Sequence, residues 1–78
     1  MFELRTTEDI IRIAAAGGGF TLRATLRPTN DLIRIAAAAS SKGARITFTG
    51  LKLRPTNDII QIASAGKGSV VFEEEIDV

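Results

Sequence analysis

The chain has 78 residues, a formal net charge of +1, and no Cys, His, Tyr or Trp. That length makes one domain, near the lower size at which a core alone sustains a fold, so oligomerisation is a natural source of added stability. The near-neutral charge speaks against a general polyanion binder, and the missing residue types remove disulfides, thiolate metal sites and the usual general bases. Apolar residues make up 45% of the chain, too many for a disordered segment. No run of about 18 apolar residues marks a membrane span. The opening Met1-Phe2-Glu3-Leu4-Arg5 lacks the charged-then-apolar layout of a signal peptide. The absence of Cys fits a reducing, cytoplasmic setting.

Taken from its start, the chain offers a first, edge strand at Phe2–Arg5, overlapping Leu4-Arg5-Thr6-Thr7-Glu8-Asp9. A closer pair of relatives follows: Leu26-Arg27-Pro28-Thr29-Asn30-Asp31 returns letter for letter as Leu53-Arg54-Pro55-Thr56-Asn57-Asp58. Each copy runs into an apolar segment, respectively Ile10-Ile11-Arg12-Ile13-Ala14, Leu32-Ile33-Arg34-Ile35-Ala36 and Ile59-Ile60-Gln61-Ile62-Ala63. The chain is therefore one domain, 1–78, of three internal repeats at about 2–23, 24–50 and 51–78. Unit two carries an extra Ala39-Ser40-Ser41-Lys42, about one helical turn, which keeps a helix face in register.

The first helix is expected at 8–16, with Thr7 as its N-cap and Asp9 in the first turn, where the helix dipole favours negative charge. Gly17-Gly18-Gly19 ends it. Phe20-Thr21-Leu22-Arg23-Ala24-Thr25-Leu26-Arg27 alternates apolar with polar and reads as a strand. Pro28 holds the chain extended before a second helix at 29–41, N-capped by Thr29 and closed by Lys42-Gly43. Ile46-Thr47-Phe48-Thr49 reads as a strand that Gly50 bends or bulges, with Leu51-Lys52-Leu53-Arg54 continuing it. The third helix is expected at 56–65, N-capped by Thr56 and ended by Gly66-Lys67-Gly68. Val70-Val71-Phe72 begins a last strand reaching toward Val78.

Strands alternating with helices predict an α/β fold: three tandem βα repeats giving a β-α-β-α-β-α-β chain, with a mainly parallel four-stranded sheet. Because the strands alternate instead of being apolar throughout, helices should cover one face only. Leu32/Ala36, Ile10/Ala14 and Ile59/Ala63 are expected against the sheet, with Ile33/Ala37 and Ile35/Ala39 on the flanks of their helix. The strand–helix spacing is similar in layout to that of leucine-rich repeats, but the Asn/Cys ladder and regular Leu pattern of that family are absent.

Three chemistries are weighed against blander readings. Glu73-Glu74-Glu75 with Asp77 is an acidic cluster without the spacing of a calcium loop, and reads better as a charged edge strand. The glycine runs follow helices instead of preceding them, so they are caps and not phosphate cradles. Arg23, Arg45 and Lys52, among threonines, offer a polar sheet face for an anionic ligand or nucleic acid, yet no aromatic ring is placed there for stacking. No cofactor or metal is expected and no catalytic residue stands out. The two identical hexapeptides are compatible with a consensus-built or designed repeat. The expected function is structural and non-catalytic: a homo-oligomeric, self-assembling module, with another protein as a further possible partner and the anion-binding face as the alternative. Its interface is expected at Phe2, Leu4, Ile11, Ile13, Ile60, Ile62, Val71, Glu73 and Glu75.

Overall fold

The computed structural model describes residues 5–25 and 27–73. Their elements run α1 (Thr7–Ala15), β1 (Phe20–Arg23), α2 (Thr29–Ser40), β2 (Ile46–Thr49), α3 (Thr56–Gly66) and β3 (Val70–Glu73). The sheet is parallel, in the order β1-β2-β3. Its register runs without offset: Phe20 pairs with Ile46 and Ile46 with Val70, while Leu22 pairs with Phe48 and Phe48 with Phe72. The fold is α/β, as the alternation implies. Among the described residues the sheet has three strands, which corrects the expectation of four. The segment expected as the first strand falls on residues 1–4, outside the described residues, with Arg5 itself in a bend.

The strands are shorter than the alternation implied. Both outer portions, from Ala24 and from Leu51, leave the sheet in β-turns: Arg27 N–H donates to Ala24 O at 3.1 Å and Arg54 N–H donates to Leu51 O at 3.0 Å. Gly50, at φ 77°, follows the end of β2 and leads into the second of these turns; a residue with a side chain adopts that angle only rarely. Leu51-Lys52-Leu53-Arg54 is thus turn and not strand, and Leu53 stands 92% exposed. The helices start and stop within a residue or so of their expected bounds, and left-handed residues follow each one: Gly17, Gly43, and Lys67 with Gly68.

Burial alternates with period two along β1 and β2 but not along β3. Phe20, Leu22, Ile46 and Phe48 are buried, Thr21 and Arg23 are exposed, and Thr47 and Thr49 are half-buried. Above the inward face, α2 packs between α1 and α3. Ile10 and Ala14 of α1 and Leu32, Ile35, Ala36 and Ala39 of α2 are fully buried, as is Ile62 of α3. Small alanine side chains let neighbouring helices sit close, and each CH₂ so buried adds about 0.8 kcal/mol. Ile59 and Ala63, expected against the sheet, are only half-buried. The buried residues of α3 are Ile62 and Gly66, and Gly66 lies close against the Val70 side chain of β3. Phe48, the largest fully buried side chain, stacks on Phe72 with ring centroids 6.4 Å apart.

One close approach is testable. A Cβ on Gly19 would lie 2.8 Å from the Arg45 carbonyl oxygen, the group that accepts from Phe20 N–H and starts the β1–β2 ladder. Gly19→Ala should therefore cost about 1–3 kcal/mol by forced backbone shift. Urea unfolding followed by circular dichroism checks this, and an unchanged midpoint contradicts it.

Candidate functional site

The threonines thought to cap the helices lie one residue too late to do so. In α1 the N-cap is Thr6, whose Oγ1 accepts from Asp9 N–H at 3.2 Å. In α2 and α3 the N-caps are Pro28 and Pro55, with extended backbones and no side-chain cap. Their carbonyls accept instead, Pro28 O from Asp31 and Leu32 N–H and Pro55 O from Asp58 and Ile59 N–H. Proline supplies the extended geometry an N-cap needs but no side-chain acceptor. Thr7, Thr29 and Thr56 are corrected to the first helical residue, which leaves their hydroxyls for other work.

That work joins one repeat to the next. Thr7 Oγ1 donates to Asp31 Oδ2 at 3.0 Å and accepts from Arg27 Nη1 at 2.9 Å. One unit on, Thr29 Oγ1 donates to Asp58 Oδ2 at 3.1 Å and accepts from Arg54 Nη1 at 2.7 Å. A hydroxyl is both donor and acceptor, so one threonine closes a chain from guanidinium to carboxylate. The same guanidiniums reach back to main-chain carbonyls: Arg27 Nη2 donates to Arg5 O at 2.8 Å, and Arg54 Nη2 donates to Ala24 O at 2.8 Å and to Arg27 O. The hexapeptide thus carries two halves of a connector, Arg and Asp toward the preceding unit and Thr toward the following one. At the first junction Arg34 also donates to Glu8, and this hydrogen bond and opposite charge hold the Arg34 guanidinium above its ordinary pKa.

Isoleucines follow the same polarity, because residues four apart share a helix face. Ile35 and Ile62 lie one turn beyond Asp31 and Asp58, face the preceding unit, and are fully buried. Ile13, one turn beyond Asp9, occupies the equivalent place in the first unit and is only half-buried. On the opposite flank Ile11 and Ile33 are half-buried against the following helix, while Ile60 is 54% exposed. At the N-terminal end Arg5, Asp9, Arg12, Ile13 and Ala16 line an open groove of about 380 Å³. At the C-terminal end Thr56, Asn57 and Ile60 are exposed.

The other residues singled out from the sequence do not gather. Arg23 shares a row with Thr49 and Glu73 across the sheet. Arg45 is aligned with Gly19, four residues earlier on the strand and so roughly 13 Å away at ~3.3 Å per residue. Lys52 sits in the turn after β2. Val71 is half-buried and Glu73 exposed on β3. Phe2, Leu4, Glu74, Glu75 and Asp77 lie outside the described residues. Among the described residues no group of three or more His, Cys, Asp or Glu could hold a metal ion, and no helix is long and apolar enough to cross a membrane. Comparison with protein-family models, curated proteins and solved structures finds no match.

The ladder went unread in the sequence because a Thr before Asp and an apolar run fits a cap equally well. The signal available was the identity of the whole hexapeptide: a cap needs one residue, whereas a two-sided connector constrains Arg, Thr and Asp together.

The end unit provides its own control. Thr29→Val should cost about 1–3 kcal/mol, since it leaves half-buried Arg54 and Asp58 without their bridge. Thr56→Val, at the equivalent but exposed position, should change the stability of a dilute chain by no more than about 0.5 kcal/mol. Equal costs in denaturant titrations contradict the ladder.

Proposed function

We propose that the chain is a non-catalytic, self-associating repeat module whose partner is a further copy of itself. The observation that carries the reading is the contrast between inner and outer flanks. On one flank Ile35 and Ile62 are fully buried at the internal junctions while their counterpart Ile13 is half-buried; on the other flank Ile11 and Ile33 are half-buried while their counterpart Ile60 is 54% exposed. An apolar flank of that kind usually marks an interface. A small domain gains most from such burial, because its own core offers few kcal/mol to spare. The groove at the N-terminal end brings Arg5, Asp9 and Arg12 together beside Ile13 and Ala16, the same residue types that join the units internally.

Light scattering behind a sizing column is the direct test. The wild-type chain should give a multiple of its 8.3 kDa mass, and Ile60→Glu should return it to one chain with unchanged circular dichroism. A wild-type mass of one chain up to about 1 mM, where even an interface of ~4 kcal/mol is half-occupied, contradicts self-association.

A further inference from the structure

The two ends of the described structure are complementary halves of a junction that occurs twice inside it. In each internal junction the preceding unit contributes a Thr and, one turn on, an Ile: Thr7 with Ile11, then Thr29 with Ile33. The following unit contributes an Asp and, one turn on, an Ile: Asp31 with Ile35, then Asp58 with Ile62. The C-terminal end presents Thr56 with Ile60, and the N-terminal groove presents Asp9 with Ile13. Arg5 occupies the place of Arg27 and Arg54 and lines the same groove.

We propose that the occupant of the N-terminal groove is the third unit of a second copy of this chain, seated in the register that joins the units within one copy. This rests on the self-association reading and adds its polarity and its polar contact. The Thr56 hydroxyl of one copy donates to the Asp9 carboxylate of the next, as Thr7 donates to Asp31. Ile60 covers Ile13 and Ala16. The interface is heterologous, so copies add head to tail, giving a ring where the rotation closes and a filament where it does not. Charge placement agrees. Arg12, in the groove, is the counterpart of Arg34, whose partner is Glu8. The residue that arrives opposite Arg12 is Asn57, the counterpart of Glu8, so a neutral side chain stands where the internal junction has a carboxylate.

The test uses the full chain with one end blocked at a time. Ala16→Arg fills the groove from an exposed position, and Ile60→Glu charges the opposite end, also from an exposed position; circular dichroism establishes that both fold. Each blocked variant alone should sediment as one chain. Their equimolar mixture should form a complex of twice the 8.3 kDa chain mass and nothing larger. If wild type associates but either variant alone still dimerises, the interface pairs like ends and the head-to-tail proposal fails while self-association stands. If wild type associates and the mixture forms no complex, the register is wrong. If wild type itself stays a single chain, both readings fall.

Within the mixture, changes on the Ala16→Arg copy read the polar contacts. Thr56→Val should weaken the complex at least about fivefold. Asn57→Glu should tighten it about two- to fivefold at low salt and lose that gain at high salt, as an exposed ion pair with Arg12 does. No change in affinity for either variant overturns the assigned register.

Discussion

A threonine hydroxyl held between the arginine and the aspartate of the next repeat sets the geometry of this molecule. The helix junctions are otherwise built from alanine and isoleucine, side chains that attract without direction and tolerate a shift along the helix axis. A hydroxyl that must meet both a guanidinium and a carboxylate tolerates no such shift. Thr7 between Arg27 and Asp31, and Thr29 between Arg54 and Asp58, therefore fix how far each helix stands along its neighbour. The strands inherit that register, and the three pair without offset although the units differ in length. The connectors lie at the half-buried rim, and among the described residues no polar or charged residue is buried, so the core escapes the cost of dehydrating a charge.

The same constraint explains the shape of each unit. Arg27 and Arg54 must turn away from the sheet to reach backward, and each does so through a β-turn that cuts its strand short. Pro28 and Pro55 follow, holding the chain extended so that the next helix starts with its threonine on the forward flank. The four-residue insertion in unit two does not lengthen its helix by a whole turn: α2 has 12 residues against 11 in α3, and Ser41 and Lys42 fall in the turn that follows, while Ala39 lies one turn beyond Ile35 and is buried with it. Cooperativity in such a chain runs between neighbours, through α1 with α2 and α2 with α3, as in a one-dimensional stack. Among the described residues α1 and α3 pack chiefly on α2, Ile60 is exposed on α3 and an open groove lies beside Ile13 of α1.

Much of this was legible in the residues alone. The α/β alternation, the three helices and the parallel pairing follow from period-two and period-3.6 patterns punctuated by glycine. Strand length was misread because Leu51-Lys52-Leu53-Arg54 alternates as a strand does, and local alternation says nothing of a distant carbonyl that Arg54 must reach. The caps were misread for a related reason. Thr29 beside Asp31 satisfies every local rule for a helix start, but its partner is Asp58 in the next unit, 29 residues away. Burial of α3 was misassigned: Ile59 and Ala63, expected against the sheet, are half-buried, while Ile62, the counterpart of flank residue Ile35, is fully buried. What the sequence lacks locally is knowledge of which unit sits at an end.

A double-mutant cycle separates a connector from a cap most directly. Thr29 is paired once with Asp58 of the next unit and once with Asp31 of its own hexapeptide, using Thr29→Val with Asp58→Asn and Asp31→Asn, and unfolding free energies are compared. If the hexapeptide joins units, the coupling of Thr29 to Asp58 is about 1 kcal/mol or more and that to Asp31 is close to zero. Coupling to Asp31 with none to Asp58 would make the repeated threonine a local helix-start residue and remove the basis for the register described above.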